Sequence, residues 1–261
     1  MQRMEFDDDL TACAQIVERG DPDRFAATMA APVEARAVLF PIYAFNIEVA
    51  RAPWLTQESM IAEMRLQWWR DALEEIRTGG TVRRHEVVTP LSRVLDAESA
   101  EALDRLVGAR RWDVYRDAFE DAEHFDRYID ETSGHLMLAC GRALGGMPED
   151  VAMNAGYAAG LVQFLRAVPE LEAQGRIPLV DGRAEAVTAL ARSGLERLAK
   201  ARAQLDAVPK AARPALLAAW QAGPLLELAA KEPARVAEGQ LQISEFRRRA
   251  RLMRAALTGR I

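Results

Sequence analysis

The sequence predicts an all-α single domain, and three observations carry that reading. Apolar residues recur at three- and four-residue spacing through most of the chain, the period of a helix with one face turned to a core. Proline, glycine and aspartate interrupt that pattern where helices start and stop. Strand candidates are limited to short pieces such as Glu86-Val87-Val88 and residues 176–180, too few to build a sheet.

Asp21 before Pro22 pairs a capping side chain with a first-turn proline, so a helix opens there. Ala31-Pro32 opens the next, in which Val38, Ile42, Phe45 and Val49 face a core. Pro41 lies inside this helix and removes one backbone hydrogen bond, so a kink is expected. Thr56 and Glu58 begin a third helix with Ile61, Met64, Trp68, Ala72 and Ile76 on one apolar face. Leu66, Trp69 and Leu73 widen that face enough to bury the helix between neighbours, and Gly79-Gly80 ends it. Residues 78–90 read as loop, and helical patterns resume from about Leu91 to Ala143, before a break at Gly145-Gly146 and Pro148. The helix from Val151 to about Ala173 carries Gly156, Ala159 and Gly160 at one-turn spacing, which permits close backbone approach, and Pro169 distorts its far end. After a loop over 175–182, a helix over 184–205 presents Leu195, Leu198 and Leu205. Pro214 and Pro224 punctuate shorter helices, and the last helix spans about Ser244 to Leu257, for about ten helices in all.

Composition excludes several classes of protein. The 261 residues are 50% hydrophobic and 28% charged, which rules out a disordered chain. Subtracting 39 acidic from 34 basic residues leaves a charge of −5, which points to no nucleic-acid partner. Cys13 and Cys140 stand far apart without metal or disulfide spacing. The longest uncharged runs, residues 37–47 and 151–165, are shorter than the ~18 residues a spanning helix needs. The opening MQRMEFDDDL is acidic where a leader is basic and then apolar, so a reducing, cytoplasmic setting is expected.

Candidate chemistry is sparse. His85, His124 and His135 fall in separate segments with no carboxylate or cysteine at ligand spacing, and there is no GxSxG, P-loop or GxGxxG element. Asp113, Asp117 and Asp121 are predicted to share one helix face, where a hard cation is one reading and a solvated, ion-paired face is the better one. Asp7, Asp8 and Asp9 read as the acidic start of a helix. Arg247, Arg248, Arg249, Arg251 and Arg254 stand beside Phe246, Leu252, Met253 and Leu257. That basic amphipathic pattern suits an anionic membrane surface, a partner, or ordinary packing of a terminal helix.

Five pieces occur in an order that resembles the squalene/phytoene synthase family: Asp21 to Phe25 (DPDRF), Tyr43 to Glu48 (YAFNIE), Arg65 to Arg70 (RLQWWR), Tyr128 to Gly134 (YIDETSG) and Tyr157 to Leu179. The likeness is strongest over 21–180, and the C-terminal third agrees in helical character only. The resemblance implies one isoprenoid-synthase-like helical bundle over 1–261 around a central cavity. Tyr43, Phe45, Trp54, Tyr157 and Gln163 are its candidate cavity-lining residues. Active members hold magnesium on two pairs of aspartates at i and i+4, which bind the substrate diphosphate so that it can leave an allylic cation. In this sequence those positions are Ala50 and Trp54, with Arg51 in place of an adjacent acid, and then Ala167 and Leu171. None of these side chains coordinates Mg²⁺, so no catalytic residue, metal or cofactor is expected.

The phrases YAFNIEVA, MRLQWWRDAL and QFLRAVPE further resemble a degenerate branch of the family that acts in assembly of respiratory complex I. On that resemblance the chain is expected to be a pseudoenzyme with complex I subunits or assembly proteins as partners, cytoplasmic or peripheral at the inner membrane. Two alternatives stay open. One is an active magnesium-dependent head-to-head prenyltransferase. The other is a metal-free protein that grips an isoprenoid diphosphate or lipid headgroup through Arg51, Arg166 and Arg176, unless those arginines pair with acids such as Glu48, Glu170 or Glu172.

Overall fold

The computed structural model describes residues 7–261, so the first six residues of the acidic opening segment lie outside the described residues. Fourteen α-helices and no strand occur among the described residues. They are α1 (Asp8–Gly20), α2 (Pro22–Met29), α3 (Val33–Arg51), α4 (Ser59–Arg77), α5 (Val88–Leu91), α6 (Ala97–Ala109) and α7 (Ala122–Ile129). These are followed by α8 (His135–Ala143), α9 (Glu149–Ala173), α10 (Ala184–Ala203), α11 (Arg213–Leu216), α12 (Ala222–Lys231), α13 (Ala234–Ala237) and α14 (Glu245–Thr258). The count exceeds the sequence expectation because α5, α11 and α13 are four-residue turns and the stretch after α5 is broken.

Local chemistry explains the starts. Asp7 caps α1 by accepting from the Leu10 amide at 2.9 Å, and Asp21 caps α2 by accepting from the Arg24 amide at 2.8 Å. Asp96 caps α6 in the same way, with the Ser99 amide at 2.7 Å. Both α3 and α9 continue through their internal prolines, Pro41 and Pro169.

The core confirms most of the expected faces and rotates two of them. Ile42, Phe45 and Val49 of α3 are fully buried, and Phe45 meets Trp69 of α4 edge to face at 5.4 Å. On α4 the buried line is Ala62, Leu66, Trp69, Ala72 and Leu73, while Met64 is 66% exposed and Ile61 lies at the surface. The α4 helix packs chiefly on α6 and also meets the turns at 52–54 and 110–114, and its outer apolar side chains stay at the surface. On α10 the buried line is Val187, Ala191, Gly194, Leu198 and Ala201, and Leu195 and Leu205 only flank the core. The helix lies against α9 and α12, and Gly194 lets Leu161 and Leu226 close over it.

The helical patterns expected over 91–143 form several separate elements. After α6 the chain passes through a 3₁₀ turn (Arg110–Val114), an extended segment and a new cap at Asp121, which accepts from the His124 amide at 2.8 Å. Asp113, Asp117 and Asp121 therefore lie on three different local structures, not on one face. Asp113 is buried and paired with Arg110 at 3.1 Å, which corrects its reading as part of a solvated acidic face.

Between α7 and α8, residues Asp130–Gly134 form a single π turn, in which one extra residue is accommodated in the helix. It packs directly on α9. A Cβ at Gly156 would lie 2.6 Å from the Ser133 carbonyl oxygen, and Gly160 meets the Ser133 side chain just as closely. The small residues expected to allow close approach do so here, against this turn. Gly156→Ala forces the π turn away from α9, an overpacking cost of about 1–3 kcal/mol. The expected outcome is a melting temperature lower by roughly 5 °C, read by circular dichroism, while an unchanged value would mean the turn yields without strain.

Candidate functional site

A cavity of about 540 Å³ opens where α1, α2, α3, the π turn and α9 converge. Its wall is built from Arg19 at the end of α1, Asp21 and Arg24 at the start of α2, Asn46, Ala50 and Arg51 on α3, and then Trp54, Arg110, Ser133 and Gln163. Asp21 ends α1 and caps α2, and this sharp junction swings Arg24 onto the wall. The close packing of the π turn on α9 brings Ser133 to the same place.

The wall is cationic. Arg19, Arg24, Arg51 and Arg110 line it, against Asp21 as the acid of the wall. Arg24 pairs with Asp21 at 3.3 Å and lies over the ring of Tyr43 at 5.0 Å. Arg51 pairs with Glu48 at 2.9 Å. Arg110 donates to Tyr128 Oη at 2.8 Å and to Asp113 at 3.1 Å. Burial works against its charge, but Tyr128 and Asp113 outweigh that and hold the guanidinium above its ordinary value. Burial likewise pushes the Tyr128 phenol well up, so it serves as a neutral donor. Two wall residues keep a buried polar atom without a hydrogen-bond partner, Asn46 Oδ1 and Arg110 Nε. A ligand with both acceptor and donor atoms would satisfy them.

Ala50, Arg51, Trp54 and Gln163 of the sequence candidates come together on this wall. Ala50 and Trp54 offer no oxygen to a metal, and no group of three or more His, Cys, Asp or Glu is gathered for one among the described residues. Tyr43, Phe45 and Tyr157 are core residues, exposed by 2%, 0% and 1%, because α3 and α9 turn these rings inward against their neighbours rather than onto the cavity. Ala167 and Leu171 are half-buried on α9 away from the wall, with Leu171 packed on the core.

The three arginines expected to converge on a diphosphate do not. Arg166 does not line the cavity but pairs with Asp23 at 2.8 Å, and Arg248 of α14 closes on the same carboxylate. Burial disfavours the Asp23 charge, yet the hydrogen bonds from Arg166 and Gln221 and the charge of Arg248 hold its carboxyl below the ordinary value. Arg176 is buried, donating to the carbonyl of Tyr115 at 2.6 Å and to that of Asp113. Its guanidinium lies 4.5 Å from the Trp54 ring centre and 5.6 Å from that of Trp112. Desolvation lowers its pKa, and Arg116 adds to that shift. Arg176 thus fastens the 110–115 segment beside Trp54 of the cavity wall.

Sequence reasoning missed Arg24, Asn46, Ser133 and Arg110. The first three sit inside the pieces DPDRF, YAFNIE and YIDETSG, so the signal was present, whereas Arg110 falls outside every such piece.

Residues 17–181 match the family model described as squalene/phytoene synthase. The chain belongs to the squalene/phytoene synthase family. Among characterised relatives it is 30% identical to the NADH dehydrogenase (ubiquinone) complex I, assembly factor 6 homolog of Drosophila melanogaster, over 60% of this chain and 50% of that one. It is 24% identical to complex I assembly factor 6 of Homo sapiens, over 60% of this chain and 48% of that one. The chain thus spans about half the length of the curated relatives it matches. Its fold is that of a dehydrosqualene synthase solved with a ligand, at TM-score 0.78 and 18% identity over 96% of this chain and 95% of that one. Squalene synthase HpnC from Alicyclobacillus acidocaldarius superposes at TM-score 0.71 and 14% identity, over 87% of this chain and 94% of that one.

Arg176→Ala removes a charged donor from two carbonyls, at a cost of about 2–3 kcal/mol read as a lower urea midpoint. Arg176→Lys recovers less than half of that, because a single ammonium cannot fork to both carbonyls. Full recovery with lysine would show that charge alone, not the forked geometry, fastens the segment.

Proposed function

We propose that this protein is a non-catalytic member of its family that acts in the assembly of respiratory complex I, with complex I subunits or assembly proteins as its partners. The observation that carries the reading is the cavity wall. At Ala50 and Trp54, where the family resemblance expects metal-holding aspartates, the wall presents a methyl group and an indole, and Asp21 is the one acid among four arginines that line it. The similarity to relatives named complex I assembly factor 6 in fly and human supports the same reading. The wall offers arginines, and among the described residues no cluster of carboxylates, to the several magnesium ions that diphosphate departure requires. The reading also brings the protein to the inner face of the membrane in which complex I is built.

A strain lacking the gene is expected to lose membrane-bound NADH:quinone oxidoreductase while keeping its isoprenoid lipids. The purified protein, given farnesyl diphosphate and Mg²⁺, is expected to release no pyrophosphate above background. Sustained turnover, or a strain with intact complex I and lost isoprenoid lipids, would overturn the reading in favour of a prenyltransferase.

A second reading is favoured by the unpartnered Asn46 Oδ1 and Arg110 Nε: the cavity holds an anionic headgroup without metal. Its arginines suit the charged end of an isoprenoid diphosphate or a lipid headgroup. Farnesyl diphosphate with EDTA should then raise the melting temperature, and Arg24→Ala with Arg51→Ala should abolish the shift. Absence of any shift in the unmodified protein removes this reading and leaves the first untouched.

A further inference from the structure

We propose that the outward face of α14 is a docking surface for an anionic lipid bilayer, with Phe246, Met253 and Leu257 entering the headgroup layer between arginines that pair with lipid phosphates. The proposal rests on the assembly reading for its biological setting and on geometry for its physical content.

The helix is already held by its other side. Leu252 and Ala255 pack on the core, and Arg248 joins Asp23 of α2. The remaining large apolar side chains are not used in this packing: Phe246 is 82%, Met253 63% and Leu257 80% exposed. Their spacing of seven and four residues places them on one line along a helix. Three large apolar side chains left in water along one line mark a surface built for a partner.

The charge beside that line selects the partner. Arg247 and Arg254, seven residues apart, border it on one flank, with Arg251 in the next row. All three are exposed, and none has an ion-pair partner among the described residues. Arg249 borders the opposite flank and pairs with Glu245 at 2.9 Å. Five of the eight residues from Arg247 to Arg254 are arginine in a chain whose net charge is −5. The basic band continues across an 850 Å³ groove to Lys231 and Arg235 beside α12, with Glu227 and Glu232 as the acids of that groove. A line of Phe, Met and Leu flanked at one level by guanidinium groups is the pattern of a helix lying in a membrane interface, where apolar burial and attraction to acidic lipids add. A nucleic acid would leave the apolar line in water. No described helix is long and apolar enough to cross a membrane, so the contact is with the surface.

The test is flotation of the full chain with vesicles of phosphatidylcholine alone or with one-third phosphatidylglycerol. Binding is expected only to the acidic vesicles, weakening with salt. A variant combining Arg247→Glu, Arg251→Glu and Arg254→Glu is expected to bind at least roughly 100-fold more weakly. A variant combining Phe246→Ser, Met253→Ser and Leu257→Ser is expected to lose vesicle binding with an unchanged melting temperature, since these side chains are exposed. Insertion is read separately with a Phe246→Cys variant carrying an environment-sensitive dye. Burial pushes the native Cys13 and Cys140 thiols up to about 12, so the dye selects the introduced thiol. A blue shift on acidic vesicles is expected.

No binding to acidic vesicles, equal binding to neutral ones, or binding unaffected by either triple variant would overturn the proposal. A lipid-free dimer dissolved by Phe246→Glu would assign the face to a second copy instead. Vesicle binding with intact complex I in the deletion strain would leave the docking surface standing and defeat the assembly reading, and the opposite pair of results would do the reverse.

Discussion

The architecture depends on the close approach between α9 and the π turn at Asp130–Gly134. Only hydrogen fits where a side chain would project from Gly156 and Gly160, so the backbone around Ser133 settles against the helix. That contact sets the register of α9. Phe164 then joins an aromatic cluster with Phe125, at 5.1 Å, and with Phe119 and Tyr128, while Trp112 stacks on Phe119 at 4.1 Å. The cluster in turn supports Arg110 of the cavity wall and the segment that Arg176 fastens.

The second organising theme is the placement of arginine. On the cavity wall, Arg19, Arg24, Arg51 and Arg110 gather around one acid, Asp21. Elsewhere they fasten elements together: Arg166 and Arg248 share Asp23 and tie α9 and α14 to α2, and Arg176 bridges two carbonyls beneath Trp54. The arginines left without acids on α14 then stand out, because the molecule pairs so many of the others.

Much of this was legible in the sequence for local reasons. Asp21-Pro22 and Asp7 name their own helix starts because a capping carboxylate acts within three residues. The stripe of α3 and the glycines of α9 are legible because helical period alone puts those residues on one side. The cavity was half legible: Ala50, Arg51, Trp54 and Gln163 were found by family order, but Tyr43, Phe45 and Tyr157 were not separable from core, since an aromatic residue on a buried helix reads the same in either role.

By itself the sequence determined the helical class, the caps and the family, because each follows from residue type and short-range spacing. Only the tertiary structure decided which face of α4 and α10 turns inward, that Asp113 to Asp121 breaks into separate pieces, and that Arg166 meets Asp23 while Arg176 meets backbone carbonyls. Those outcomes depend on partners far away in the chain, such as Asp23 for Arg166 and the Tyr115 carbonyl for Arg176, and no periodicity encodes which distant group will be near. The same holds for α14: the sequence supplied its arginines and apolar residues, and docking through Leu252, Ala255 and Arg248 decided which of them face water.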